Sequence, residues 1–305
     1  MIELYFIRTD ERWGVWVNIK MDFVSDWQDI IIGDMTAQGL RFSNSESKES
    51  LVIRYFTHLR KKGGQVSRPR RVHWSREFVC PLEQLKGLKK LVDVLEKGKD
   101  ISPYLSTRID DISFKDGMFN DWGVLHLHLG DGPYKKDNRF MDRTGPLLFL
   151  YLMTDDAYLI NIYEHRDWTK KSVLQTVQYN WPELLYPLEG VIKLSHQYTE
   201  KEHADLRKAG ISATAQELRD INGDTIVVLP RGLGITTSGD AIQDVRCYQE
   251  NVDKLHKIEE DVRGKLQEAF KGNGNVPDPL LLKLIHEDDK WRVVEQNTGI
   301  RFDLF

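Results

Sequence analysis

The chain has 305 residues, 40% of them hydrophobic and 30% charged, with 10 Pro, 22 Gly and 2 Cys. That composition excludes collagen-like, low-complexity and disordered classes, and the length predicts two domains at roughly 150 residues each. A net charge of -4 excludes an overall basic nucleic-acid binder but leaves local charge open.

The opening residues 1–10 lack the basic, apolar and small-residue regions of a secretory signal and read as a strand. Cys80 and Cys247 match no metal or redox spacing and read as free thiols, so a cytoplasmic location is expected. Strands are predicted over 2–7 and 14–19, followed by an ambiguous segment 22–35 and a polar linker over 43–48. From Glu49 a strand or short helix leads into a Gly- and Pro-bearing loop over 60–71. Residues 80–97 form an amphipathic pattern with Leu82, Leu85, Leu88, Val92 and Leu95 on one face and Gly98 as the stop, which predicts a helix.

Three apolar and branched runs, 122–129, 146–153 and 157–165, predict an antiparallel meander, with a tight turn over 154–156. The run 146–153 falls well short of the ~20 residues that cross a bilayer, so no membrane association is expected. The polar loop 130–139 is long enough to act as a flap, and 168–179 reads as a helix. Beyond 190 the pattern predicts short polar helices over 199–210 and 214–222, strands over 224–229 and 234–237, a long charged helix over 240–271 and a two-strand ribbon over 280–305 that bends at Asp288-Asp289. The expected fold is α+β: a central antiparallel sheet backed by helices, a small N-terminal β part and a mixed α/β C-terminal domain, with breaks giving 1–48, 49–190 and 191–305.

On a strand, His126 and His128 face one way, about 7 Å apart from a rise of ~3.3 Å per residue, while Leu125, Leu127 and Leu129 take the core face. His165 joins them if the faces match across the sheet, and Arg143 can reach the same area. A His/His/Arg cluster holds what metal-free RNA cleavage requires: a base for the 2′-hydroxyl, an acid for the leaving 5′-oxygen and a fixed cation for the phosphorane charge. A hydrogen-bonded structural role is the bland reading of each histidine. The competing chemical reading is a Zn or Fe site on His126, His128 and His165, although no carboxylate stands at a diagnostic offset.

The second feature is basic. Arg60, Lys61, Lys62, Arg68, Arg70 and Arg71 lie in a stretch, 54–76, that contains no Asp or Glu and interleaves Tyr55, Phe56, His73 and Trp74. It reads either as a phosphate-tracking, base-stacking patch or as a solvated loop. Gly232-Leu-Gly234 lacks the rest of a dinucleotide fingerprint and is discarded.

The segments Ser102-Pro-Tyr-Leu-Ser106, Asn120-Asp-Trp-Gly-Val-Leu-His-Leu-His-Leu-Gly130, Arg143-Thr-Gly-Pro-Leu-Leu-Phe149, His165 and Asn180-Trp-Pro182 are similar to a signature of uncharacterised bacterial and phage-borne proteins. The resemblance covers about 75–185, and Leu125 stands where that signature carries a further histidine. It implies a mobile-element accessory role in toxicity or phage defence and specifies no particular activity. The combined expectation is a metal-independent ribonuclease with no cofactor, acting on RNA, with an antitoxin or other protein as a candidate partner. His126 and His165 would be the acid/base pair, His128 would assist and Arg143 would hold the phosphate. The alternatives are a His-ligated metal hydrolase or oxygenase, and a non-enzymatic nucleic-acid or protein-binding module.

Overall fold

The computed structural model describes residues 17–64, 67–270 and 278–304. The strand expected over 2–7, and the first half of that over 14–19, lie outside the described residues. In chain order the elements are β1 (Ile19–Lys20), α1 (Phe23–Ala37), α2 (Lys48–Lys61), β2 (Arg71–Trp74), α3 (Leu85–Glu96), α4 (Gly117–Trp122), β3 (Leu125–His128), β4 (Leu147–Leu152), β5 (Asp156–Tyr163), α5 (Lys171–Asn180), β6 (Tyr186–Pro187), α6 (Glu200–Lys208), β7 (Gln216–Arg219), β8 (Thr225–Leu229), α7 (Ile242–Ala269), β9 (Leu280–Glu287), β10 (Lys290–Glu295) and β11 (Arg301–Asp303). The fold is α+β, as expected.

Two compact units divide the chain: Thr36–Tyr248 is one, and the described parts of Met1–Met35 and Gln249–Phe305 make the other. This division falls at neither 48/49 nor 190/191, and residues 191–248 belong with the central sheet rather than with the terminal ribbon. In the smaller unit β1 pairs in parallel with β9, and β9, β10 and β11 form an antiparallel run, one strand more than the expected ribbon. Asp26 of α1 accepts from the Leu284 N–H at 2.8 Å.

The larger unit holds two sheets. One has the order β2-β5-β4-β3; the predicted meander is its antiparallel part, and β2 adds to the β5 edge in parallel, so the sheet is mixed. A parallel neighbour requires a long crossover, and the α3–β4 stretch that separates β2 from β5 supplies it. Leu125, Leu127, Leu148, Leu150 and Leu159 turn to the face covered by Leu88, Leu91 and Leu95 of α3. Phe149, Tyr151 and Ile160 pack on the opposite face with Val173, Leu174 and Val177 of α5. Both faces are therefore core, which explains why the three runs read as continuously apolar rather than cleanly alternating. Gly87 lets α3 press onto the end of β3, since a Cβ there would meet the Leu129 carbonyl oxygen at 1.7 Å.

Helix α3 begins later than its apolar pattern suggests. Residues Leu82–Gln84 form a 3-10 turn, which leaves Leu82 86% exposed instead of on the buried stripe. The ambiguous 22–35 segment is helical, and so is the stretch from Glu49, where Ser47 caps α2 by accepting the Ser50 N–H. Residues 214–222 are not a helix. Strand β7 pairs with β8 through a turn in which Asp220 accepts from the Asn222 and Asp224 N–H groups, and the Asn222-Gly223 dipeptide is the hairpin signal that polar composition obscured. β6, β8 and β7 form the second sheet of this unit. The strand expected over 234–237 reduces to a single bridge, Ile235 to Ala241.

Candidate functional site

His126 and His128 lie on β3 opposite Phe149 and Leu147 of β4, and Leu147 in turn pairs with Tyr163 of β5. The chain then turns at 164–167, outside the sheet, and this turn brings His165 back toward His126. Trp168 sits between them: its ring lies 4.6 Å from that of His126 and 5.1 Å from that of His165, and it stacks on Phe149 at 5.7 Å. His126 is half-buried and His165 exposed.

Both histidines line a cavity of about 920 Å³. Its other charged residues are mostly cationic: Arg108, Lys115, Arg166, Arg207 and Lys208 line it, with Asp116 the one carboxylate residue in the lining. Arg166 holds φ at 110°, a backbone state costly for any residue that carries a Cβ and one that gathers at functional turns. The expected flap, 130–139, contributes nothing to the lining; Arg139 is tied instead to Asp110 and Asp137.

His128 and Arg143 stand behind this cavity rather than in its wall. His128 is buried, and its Nδ1 accepts the Thr144 N–H at 3.2 Å, which places the proton of the neutral ring on Nε2. Burial, helped by the charges of Arg143, His126 and His165, pushes its pKa down to about 3. Arg143 donates to the Leu105 carbonyl at 2.8 Å, and burial lowers its pKa to about 10. These two residues therefore form a neutral imidazole and a guanidinium in the supporting layer, a different placement from the catalytic roles expected for them.

The depressed His128 pKa carries a stability consequence. Below pH 6.5 the unfolded chain binds a proton at this histidine that the native state refuses until about pH 3, so stability falls as pH drops through that window. The expected loss is roughly 3–5 kcal/mol. His128→Asn keeps an acceptor for Thr144 and cannot titrate, so urea unfolding midpoints measured from pH 7 to 4 should fall less steeply in the variant. Equal slopes would show that His128 does not drive the acid limb.

Asp121 and Asp116 were not identified from sequence. Asp121, 1% exposed, receives Arg207 Nε and Nη2 at 3.0 and 2.8 Å, His203 Nε2 at 2.8 Å and Thr214 Oγ1 at 3.1 Å. Burial alone would raise its carboxyl pKa, but the bonds from His203 and Arg207 outweigh that and hold it below the ordinary range. The network aims Arg207 at the cavity. Asp116 caps α4 by accepting the Phe119 N–H at 3.1 Å and presents Oδ2 to His126 Nδ1 at 3.7 Å. The local signal was an Asp before Gly117 with Gly123 beyond, a capped short helix; residues 120–122 belong to it, so β3 starts later than expected.

The basic stretch is free of acids in sequence but not in space. Arg60 pairs with Asp244 at 2.8 Å, buried Lys61 lies 3.6 Å from Asp116, Arg68 lies 3.7 Å from Asp155, and Arg71 pairs with Asp156 at 2.9 Å. Lys62 ends α2 and lines a separate cavity of about 220 Å³. Arg70 is buried and donates to the carbonyls of Met153 and Gly63 at 2.8 and 2.7 Å. These contacts correct the expected phosphate-tracking patch: most of its charge is already matched within the fold. Arg70→Met is expected to cost about 1–3 kcal/mol in chemical denaturation by orphaning those carbonyls, whereas Arg71→Ser at the exposed pair should leave the unfolding midpoint unchanged.

Among the described residues no group of three or more His, Cys, Asp or Glu is placed to hold a metal ion, and His126, His128 and His165 do not form one. No helix among the described residues is long and apolar enough to cross a membrane. No family model, curated protein or solved structure matches the chain.

Proposed function

We propose that the Thr36–Tyr248 unit is a metal-independent ribonuclease whose acid and base are His126 and His165. The observation that carries this reading is the pairing of two imidazoles across Trp168 in a cavity whose charged wall is almost wholly cationic. Such a wall recruits a polyanion, and two histidines supply both proton transfers that cleavage of a ribose phosphodiester requires.

His126 is the base. Burial lowers its pKa, with Lys61, His165 and Arg143 adding to the effect and Asp116 opposing it, so the ring is neutral near pH 7. It takes the proton of the 2′-hydroxyl while the 2′-oxygen attacks phosphorus. His165, at the open rim, gives a proton to the departing 5′-oxygen. The products are a 2′,3′-cyclic phosphate and a 5′-hydroxyl, with charge on the phosphorane met by Arg166 and Arg108. The resemblance of residues 75–185 to mobile-element proteins supports a toxin or phage-defence setting for this activity.

Incubation with single-stranded RNA in EDTA should yield fragments ending in 2′,3′-cyclic phosphate, and the same sequence in DNA should remain intact. Cleavage of both polymers, or cleavage that EDTA abolishes, overturns the reading.

A further inference from the structure

His126 Nδ1 is shut off from solvent and has no hydrogen-bond partner, whereas Nε2 is not closed off in this way. Asp116 Oδ2 stands 3.7 Å from Nδ1, just beyond hydrogen-bond reach. The same oxygen lies 3.6 Å from Lys61 Nζ, which is over the Phe119 ring at 5.6 Å. One carboxylate oxygen of Asp116 thus stands close to both Lys61, at the buried end of α2, and His126.

Burial would raise the Asp116 carboxyl pKa, but His126, Lys61, the Phe119 N–H and Arg207 outweigh it, so the carboxylate stays ionised. An ionised oxygen facing Nδ1 is attractive if that nitrogen carries the proton and repulsive if it presents its lone pair. Catalytic hydrogen bonds are often long before substrate binds and tighten afterwards, so a gap of this size suits a contact completed in the reaction.

We propose that Asp116 is a positioning residue for His126, fixing the Nδ1–H tautomer so that the Nε2 lone pair faces the cavity; this rests on the ribonuclease reading for its consequence but not for its geometry. Asp116 touches no substrate in this role. It decides which ring nitrogen is free to accept a proton, and it steadies the imidazolium once that proton arrives. Lys61 helps hold the carboxylate in place, a role unlike the phosphate contact its sequence context suggested.

Asp116→Asn separates this role from capping. The asparagine side-chain oxygen still accepts the Phe119 N–H, and asparagine caps helices as well as aspartate. Its amide, however, donates toward Nδ1 and favours the Nε2–H tautomer, which blocks the base; the analogous exchange in serine proteases costs about 10⁴-fold in kcat. The experiment is ¹⁵N NMR of histidine-labelled protein at pH 7.5, wild type against Asp116→Asn, with RNA-cleavage kinetics on both. Expected are Nδ1–H at His126 in the wild type, Nε2–H in the variant, and a kcat reduced a hundredfold or more with KM within about twofold. An Nε2–H wild-type ring, an unchanged tautomer in the variant, or an unchanged kcat despite a switched tautomer overturns the proposal. The tautomer is read without RNA, so a protein that fails to cut RNA refutes the ribonuclease reading while the spectra still decide what Asp116 does to His126.

Discussion

Replacing His126 or His165 by glutamine is expected to slow RNA cleavage by about 10²–10⁴-fold at pH 7, the usual contribution of a positioned acid or base. Glutamine has similar bulk and keeps contact with Trp168, so far-ultraviolet circular dichroism and the unfolding midpoint should change little. His165 stands at the exposed rim, where substitutions away from packing are well tolerated. The double variant is the sharper measurement. Two groups that act on one displacement lose most of their joint benefit when either is removed, so the double variant should be little slower than the worse single one. Multiplying defects would mean that the two histidines serve separate steps or separate sites. Single variants with wild-type rates would remove the acid/base assignment altogether.

The largest stability effect is expected at Asp121. Asp121→Ala leaves Arg207, His203 and Thr214 without the acceptor that all three share in the interior. Breaking a buried ion pair from one side costs about 3–5 kcal/mol, because the remaining charge is stranded. For a unit of this size that is a fall in Tm of roughly 6–20 °C, at about 2–4 °C per kcal/mol. Arg207 also stacks over Trp122, 5.0 Å from its ring centre, and lines the cavity, so loosening it disturbs the site as well as the fold. The companion Arg207→Met removes the cation and leaves Asp121 with its His203 partner, so its loss should be smaller. A Tm for Asp121→Ala within about 2 °C of wild type would show that water or rearrangement replaces the lost acceptor.

The parts of this molecule legible from sequence are those set by local pattern. The alternation in Leu125-His126-Leu127-His128 placed the two imidazoles on one face correctly, and the runs on either side of 154–156 gave the β4–β5 hairpin. What pattern could not show is which neighbours arrive from far along the chain. His126 and His128 look equivalent in sequence, yet one opens onto a cavity and the other is sealed beneath Thr144. The basic stretch looked unmatched because its acids, Asp116, Asp155, Asp156 and Asp244, are supplied by other elements. Asp116 caps and Asp121 lies on a six-residue helix that β propensity around Trp122 conceals, so neither stood out.

The walls of the cavity run from Ser106 to Gly239, with β3, the turn after β5, and the end of α6 contributing in between. Loops that must close over such long stretches of chain form late, after the entropy of the intervening segments has been spent. A polypeptide emerging from the ribosome therefore has both histidines well before it has an enclosed binding site. On the proposed ribonuclease reading, the messenger and ribosome producing the chain would be spared until residue 239 has left the exit tunnel and the unit has closed.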